Sequence, residues 1–269
     1  MARYYRTAEH PGRLRALSFV KRLLGVSTVR ATIAPGVVME LDDTDFVQRE
    51  ILFRGGYELA TLHRFDALLG DAGGVLDFGA HMGLYTLRAA RALAARRGRV
   101  FAIEPTPPHA VALLRHAALR GLSNIELCTT AVSSSPALLR MIAPHEKNTG
   151  GSRLSSNPAS HDFRSIPLHV PVRPAAELVS IIPPECFDLV KIDVEGHEFH
   201  ILRSLLPVAP RLPRDILFEY KPIEFDYGPA DENLGWLGSL GYELLAIDGS
   251  PFDPARPLPE DNLWAHLRS

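Results

Sequence analysis

Five carboxylates close short apolar runs: Asp77 in Val75-Leu76-Asp77-Phe78, Glu104 after Val100-Phe101-Ala102-Ile103, Asp193 and Glu195 after Leu189-Val190-Lys191-Ile192, and Glu219 after Ile216-Leu217-Phe218. A charge at the end of a buried strand is costly unless it is paired or used. Such groups accept hydrogen bonds from hydroxyls, serve as general bases, or offer oxygen ligands to hard cations. Asp193, Glu195 and Glu219 have the chemistry for a divalent ion, but spacing alone does not establish one and no metal is assigned. Lys191, Asp193 and Glu195 stand at i, i+2, i+4 and are expected on one face of an extended strand. His81 and His197 lie in two glycine-bearing turns, where an imidazole can act as a base near neutral pH. The candidate catalytic set is therefore Asp193, Glu195, His81 and His197. The plainer alternatives are that the histidines are structural, that Glu195 and Glu198 complement a helix dipole, and that Lys191 is a paired strand charge.

The first turn, Gly79-Ala80-His81-Met82-Gly83, joins an apolar run to a helical pattern. Glycine there lets the backbone approach a ligand and the helix pack on the strand. Glu104 follows Gly79 by 25 residues, where a ribose-binding carboxylate belongs. Dinucleotide sites need G-x-G-x-x-G to cradle a pyrophosphate, and two of those glycines are absent in this register. A cofactor without phosphate, S-adenosylmethionine, suits D-x-G-x-x-x-G better. Asp77, Gly79, Ala80, Gly83 and Glu104 are the candidate cofactor-binding residues. A nicotinamide-linked oxidoreductase and a non-catalytic cofactor-binding module are the rival readings.

The elements that must hold these residues follow from periodicity. Val37–Leu41 reads as a strand and 45–69 as two helical stretches broken at Gly55-Gly56. Strands over 75–78, 99–103, 125–132, 187–194, 215–220, 242–247 and 262–267 alternate with helices over 83–96, 107–120, 197–206 and 233–240, with extended 166–172 and a helical turn at 174–180. This alternation predicts βαβ units around a mostly parallel sheet of seven strands, the last two joined as a hairpin. Residues 143–165, rich in Gly, Pro, Asn and Ser, read as a long loop or lid that selects the acceptor.

The chain has 269 residues, a net charge of −2 and 46% hydrophobic residues, which excludes wholesale disorder and any global attraction to nucleic acid. Residues 1–30 hold seven Lys/Arg against Glu9 alone, leaving −8 for the rest. Leu14, Leu17, Val20, Lys21 and Leu24 fit a basic amphipathic helix. Weak membrane-surface contact is the sharper reading of it, and a terminal helix packed on the domain with its basic face solvated is the preferred one. Two cysteines, Cys128 and Cys186, fit free buried strand thiols and a reducing cytoplasm. No apolar run approaches a membrane span. Only four of the 29 basic residues are lysines, a bias of GC-rich bacterial genomes. One domain over 71–269 is expected, preceded by a 1–70 extension.

VLDFGAHMGLYT at 75–86, VFAIEPTP at 100–107, NTGGSRL at 148–154, DLVKIDVEGHE at 188–198, ILFE at 216–219 and Leu-Gly-Tyr at 240–242 together resemble the FkbM family of S-adenosylmethionine-dependent methyltransferases. The resemblance implies the class I methyltransferase (Rossmann-like) α/β fold, with helices on both faces and the last strand antiparallel. It also implies O-methylation of hydroxyls on small metabolites, sugars or glycolipids. Carried over, Asp77, Gly79 and Gly83 would line the methionine end of the cofactor, Glu104 the ribose, and Asp193 and Glu195 the reacting centre. The chain departs from the family pattern at His81, where Asn is common, and at Ala176-Glu177, where a Leu-Asp pair is common. The first departure leaves the role of the turn side chain open, and the second leaves cofactor binding intact.

Overall fold

A computed structural model describes residues 19–142, 153–155, 168–221, 230–256, 258 and 260–268. After a helical segment at 19–24, strands β1 (Val29–Ala34) and β2 (Val37–Leu41) form an antiparallel hairpin that turns at Gly36, with φ 76°. Helix α1 (Phe46–Arg54) starts where the Asp45 carboxylate accepts from the Gln48 N–H, 2.9 Å, and stops at left-handed Gly55. Helix α2 (Leu59–Leu68) follows. The break expected at Gly55-Gly56 is thus present. Strand β1 was not anticipated, although Val29-Arg30-Ala31-Thr32-Ile33 alternates apolar and polar residues at the strand period.

From β3 (Gly74–Phe78) the chain alternates: α3 (Leu84–Leu93), β4 (Arg99–Ile103), α4 (Pro107–Ala118) and β5 (Ile125–Cys128). A detour follows through β6 (Ala131–Ser133), β7 (Ala137–Ile142), β8 (Arg153–Ser155), β9 (Leu168–Pro174) and α5 (Ala175–Val179). The main sheet resumes with β10 (Leu189–Ile192), α6 (Glu198–Leu205), β11 (Asp215–Glu219), α7 (Ala230–Ser239), β12 (Tyr242–Ala246) and β13 (Asn262–Leu267).

The seven-stranded sheet has the order β12-β13-β11-β10-β3-β4-β5 and is parallel except for β13, which runs antiparallel to both neighbours. This is the α/β class I methyltransferase topology expected of the chain. Side chains alternate by face. Leu76, Phe78, Phe101, Ile103, Val190, Ile192, Ile216 and Phe218 pack in one core with residues of α5, α6 and α7. Val75, Val100, Leu189 and Leu217 pack with Phe65 of α2 and with Ala89, Ala90 and Leu93 of α3 on the other side.

Two expectations change. The single strand read over 125–132 is two strands in different sheets, because the chain turns at Thr129-Thr130. There the Thr130 hydroxyl donates to the Pro171 carbonyl, 2.9 Å, and β6 pairs with β9 in a four-stranded sheet of order β6-β9-β7-β8. Cys128 lies in β5 as expected but is only half-buried, and Cys186, buried as expected, sits in a 3-10 helix, Pro184–Asp188, that precedes β10. Both thiols are free, and burial pushes the Cys186 thiol up to about 12. The loop expected over 143–165 lies outside the described residues except for β8.

Candidate active site

Parallel strands β3, β4, β10 and β11 end on one edge, and order reverses between β3 and β10, the point at which open α/β sheets bind ligands. The β3 chain leaves the sheet at Gly79, with φ 78°, and its N–H donates to the Ile103 carbonyl, 2.9 Å. A Cβ at Gly79 would lie 1.8 Å from the Asp193 carbonyl oxygen, so only glycine lets the two strand ends approach. His81 follows with a left-handed φ of 49°, and Gly83, φ 100°, caps α3.

Two clefts meet at this edge. The first, about 620 Å³, is bordered by Gly79, Glu104, His109, Thr130, Met141 and His197, with Ile103, Val132 and Ile201 as apolar wall. Glu104 is almost fully buried at its edge. Its Oε2 accepts from the His81 N–H and its Oε1 from the Thr106 N–H, both at 2.8 Å. Burial would raise its pKa, but hydrogen bonding and charge from His109, together with the Thr106 bonds, hold the carboxyl below its usual range. A carboxylate has about four lone-pair sites, so Glu104 keeps acceptor capacity for hydroxyls.

The second cleft, about 1020 Å³, is bordered by Val47 and Ile51 of α1, by Tyr57, Glu58 and Tyr85, and by Glu219, Lys221 and Asp261. Gly79, His81, Asp193 and Glu195 border both clefts. Carboxylate oxygens of Asp193, Glu195 and Glu219 all lie within 4.8 Å of one another. Lys191, fully buried, places Nζ 3.2 Å from Asp193 Oδ2 and 5.2 Å from the Tyr85 ring centre. Lys221 pairs with Glu219 at 2.5 Å and with Glu195 at 3.6 Å. Burial, and then the charge of Asp193, push Glu219 up to about 8 and Glu58 up to about 7. Burial depresses Lys191, but the surrounding carboxylates outweigh it and raise its pKa.

The expected convergence of Lys191, Asp193 and Glu195 arises differently from the predicted strand. β10 ends at Ile192, and Glu195 has φ 53°, so these groups come together through a tight turn and not by strand alternation. Glu198 holds that turn. Its Oε1 accepts from the Val194 and Gly196 N–H groups at 3.1 and 3.2 Å, and burial pushes the carboxyl up to about 7.

His81 borders both clefts, packs edge-on against His109 at 4.0 Å, and is pushed down to about 4 by burial and then by His109. The imidazole is neutral at physiological pH. His197 precedes α6, stacks on His200 at 4.9 Å and borders only the first cleft. Ala80 borders the second cleft. Asp77 and Gly83 border neither. Asp77 is fully buried, accepts from the Thr86 hydroxyl at 2.5 Å and faces Lys191 across the β3–β10 pair, and burial pushes it up to about 6. Glu58, Tyr85, His109, Thr130, Met141 and Lys221 were not anticipated. Only Glu58, a charge beside the Gly55-Gly56-Tyr57 break, carried a local signal.

The sequence model of the methyltransferase FkbM domain matches residues 77–244, more than half of the chain. No curated protein sequence matches significantly. Among solved structures the chain is similar to cofactor-bound Rv0187 from MTB, at 16% identity over 80% of this chain and 81% of that one, TM-score 0.45. It is also similar to M. jannaschii TYW2 in complex with AdoMet, at 13% identity over 89% and 85%, TM-score 0.44. A third is the SAH-bound Podospora anserina methyltransferase PaMTH1, at 10% identity over 98% of each chain, TM-score 0.45. The matched span includes the Gly79 turn, Glu104, the Asp193 loop and Glu219, and the chain belongs to the FkbM family of methyltransferases, whose methyl donor is S-adenosylmethionine.

Proposed function

We propose that the chain transfers the methyl group of S-adenosylmethionine to a hydroxyl oxygen of a small metabolite, sugar or glycolipid. The observation that carries this reading is the shared wall of the two clefts: donor and acceptor held on either side meet at Asp193 and Glu195. When bound, S-adenosylmethionine supplies an electrophilic methyl on a sulfonium. Glu104 would accept from the ribose hydroxyls, Gly79 would leave room for the cofactor close to the backbone, and Ile103, Val132 and Ile201 would supply apolar wall for it. In the second cleft Asp193 would accept a hydrogen bond from the acceptor hydroxyl and take its proton. Lys191 fixes the Asp193 carboxylate by the 3.2 Å ion pair, so the base is aligned before the acceptor arrives. Glu195, pinned by Lys221, positions the acceptor. His81, which burial and His109 hold down to about 4, would serve at the shared wall as a neutral hydrogen-bonding group and not as a base, and His197 would support the cofactor side.

In the same proposal residues 71–269 are the catalytic unit and 1–70 its extension, working on a small molecule and not on nucleic acid, in the cytoplasm. Among the described residues no helix is long and apolar enough to cross a membrane. The test uses Asp193→Asn with a labelled methyl donor and cell extract as acceptor source, products being identified by mass spectrometry. Turnover should fall by about 10²–10⁴, with S-adenosylhomocysteine affinity kept within a few-fold. Unchanged turnover removes Asp193 from the role. Binding of NAD in place of S-adenosylhomocysteine overturns the reaction class.

A further inference from the structure

We propose that the outer face of the helical segment 19–24 docks on an anionic lipid surface. The segment reads Phe19-Val20-Lys21-Arg22-Leu23-Leu24. At about 100° per residue Phe19, Val20, Leu23 and Leu24 share one arc of roughly 140°, and Lys21 lies on the far side. A surface helix normally turns its apolar arc inward. This one is reversed. Lys21 is 9% exposed and bonded to Asp43 and, at 3.3 Å, to Asp42, while Phe19, Leu23 and Leu24 are 60%, 74% and 66% exposed. Val20 and Val26 extend the patch. The arrangement also reverses the preferred reading of the sequence, a packed apolar face with a solvated basic one. A buried ion pair anchors the segment, and its hydrophobic side is left in water.

A contiguous exposed apolar patch marks an interaction surface, and charge identifies the partner. The seven Lys/Arg residues within 1–30 face a single acid, Glu9, whereas the remainder of the chain carries −8. Arg22 is exposed beside the patch. A second copy docking through a twofold axis would bring this cationic stretch against itself. An anionic bilayer accepts both the apolar side chains and the positive charge. The anchoring acids lead directly into Asp45, the cap of α1, whose Val47 and Ile51 border the second cleft. Docking would therefore hold the wall of that cleft near the lipid surface. The docking face stands independently of the methyl-transfer reading.

The test is flotation of the full chain with phosphatidylcholine vesicles, with and without a minority of phosphatidylglycerol. The protein should float with the anionic vesicles only and release as salt rises. Leu23→Ser/Leu24→Ser, and separately Phe19→Ser, should cut the bound fraction roughly tenfold or more. Because these side chains are exposed, the melting temperature and S-adenosylhomocysteine binding should stay unchanged. Absence of binding to anionic vesicles, or binding indifferent to these substitutions, overturns the proposal. So does a dimer that dissociates in Leu23→Ser/Leu24→Ser while vesicles are ignored, an outcome that assigns the patch to a second copy.

Discussion

Replacing Glu104 by Gln tests the cofactor assignment with the least disturbance. The carboxylate accepts two backbone N–H groups at 2.8 Å, from His81 and from Thr106, and keeps lone pairs toward the first cleft. Alanine would orphan both N–H groups and confuse a folding defect with a binding defect. Glutamine keeps the volume but loses the charge, and its NH₂ must oppose one of the two N–H donors or turn toward the ligand. A hydrogen bond to a charged acceptor contributes about 1.5–3 kcal/mol and a neutral one about 1, so ribose binding should weaken by about 2 kcal/mol. That corresponds to roughly a 30-fold rise in Kd. Titration calorimetry with S-adenosylhomocysteine at pH 7.5 measures it, and the melting curve of the unliganded variant reports any change in fold. A Kd within twofold of the parent, with ligand binding otherwise intact, would refute the assignment of Glu104 to the ribose.

The same geometry yields further expectations. Gly79→Ala places a Cβ 1.8 Å from the Asp193 carbonyl oxygen at a left-handed φ of 78°, so stability in urea should fall by more than about 3 kcal/mol, and S-adenosylhomocysteine binding should be lost with it. Lys191→Met removes a fully buried cation from between Asp77, Asp193 and Glu58, and equilibrium urea unfolding should show a loss of about 3–5 kcal/mol. Glu219, pushed up to about 8, and Glu58, pushed up to about 7, hold protons in the folded chain that unfolded carboxylates near 4.5 have already released. Stability must therefore decline as pH rises through 6.5–8. Below that window neutral His81 and His116, whose folded pKa values are depressed from 6.5, oppose the trend. Differential scanning fluorimetry should record a falling melting temperature from pH 6.5 to 8.5, with a flatter slope in Glu219→Gln.

The parallel core was legible because each of its strands is a short apolar run closed by a turn or a charge, and β4 falls at the predicted bounds, Arg99–Ile103. Glu104 could be found because position at a strand end constrains function there. β7, Ala137–Ile142, pairs outside the main sheet and shows no alternation, whereas β1, though not anticipated, carries a period of two over Val29–Ile33 that was legible. Asp77 was misplaced in reach, since a carboxylate inside a strand and one past its end look alike in sequence, yet one binds Thr86 in the core and the other opens to a cleft. Glu58 reaches the second cleft through the tertiary placement of the turn before α2, which its local signal does not specify, and Lys221 follows the end of β11 just beyond Glu219. The turn at 193–197 shows the same limit: convergence was anticipated, but the left-handed Glu195 and Gly196 that produce it were not.

The alternation of faces along the central strands separates two kinds of tolerance to substitution. On β3, β10 and β11 the even-numbered residues, Leu76, Phe78, Val190, Ile192, Ile216 and Phe218, meet only an apolar core. The odd-numbered ones include Asp77, Lys191, Asp215 and Glu219, each buried and each held by a polar partner. Hydrophobic exchanges of similar volume should be absorbed at even positions with small cost. At Asp77, Lys191, Asp215 and Glu219 an apolar replacement breaks a polar or charge pairing, whereas odd-numbered Val75, Leu189 and Leu217 pack in the second apolar core and should tolerate such exchanges. A saturation library read for folding and for turnover would then show both readouts falling together at Asp77, Lys191 and Glu219, and tolerance of apolar exchange at the core positions of either face.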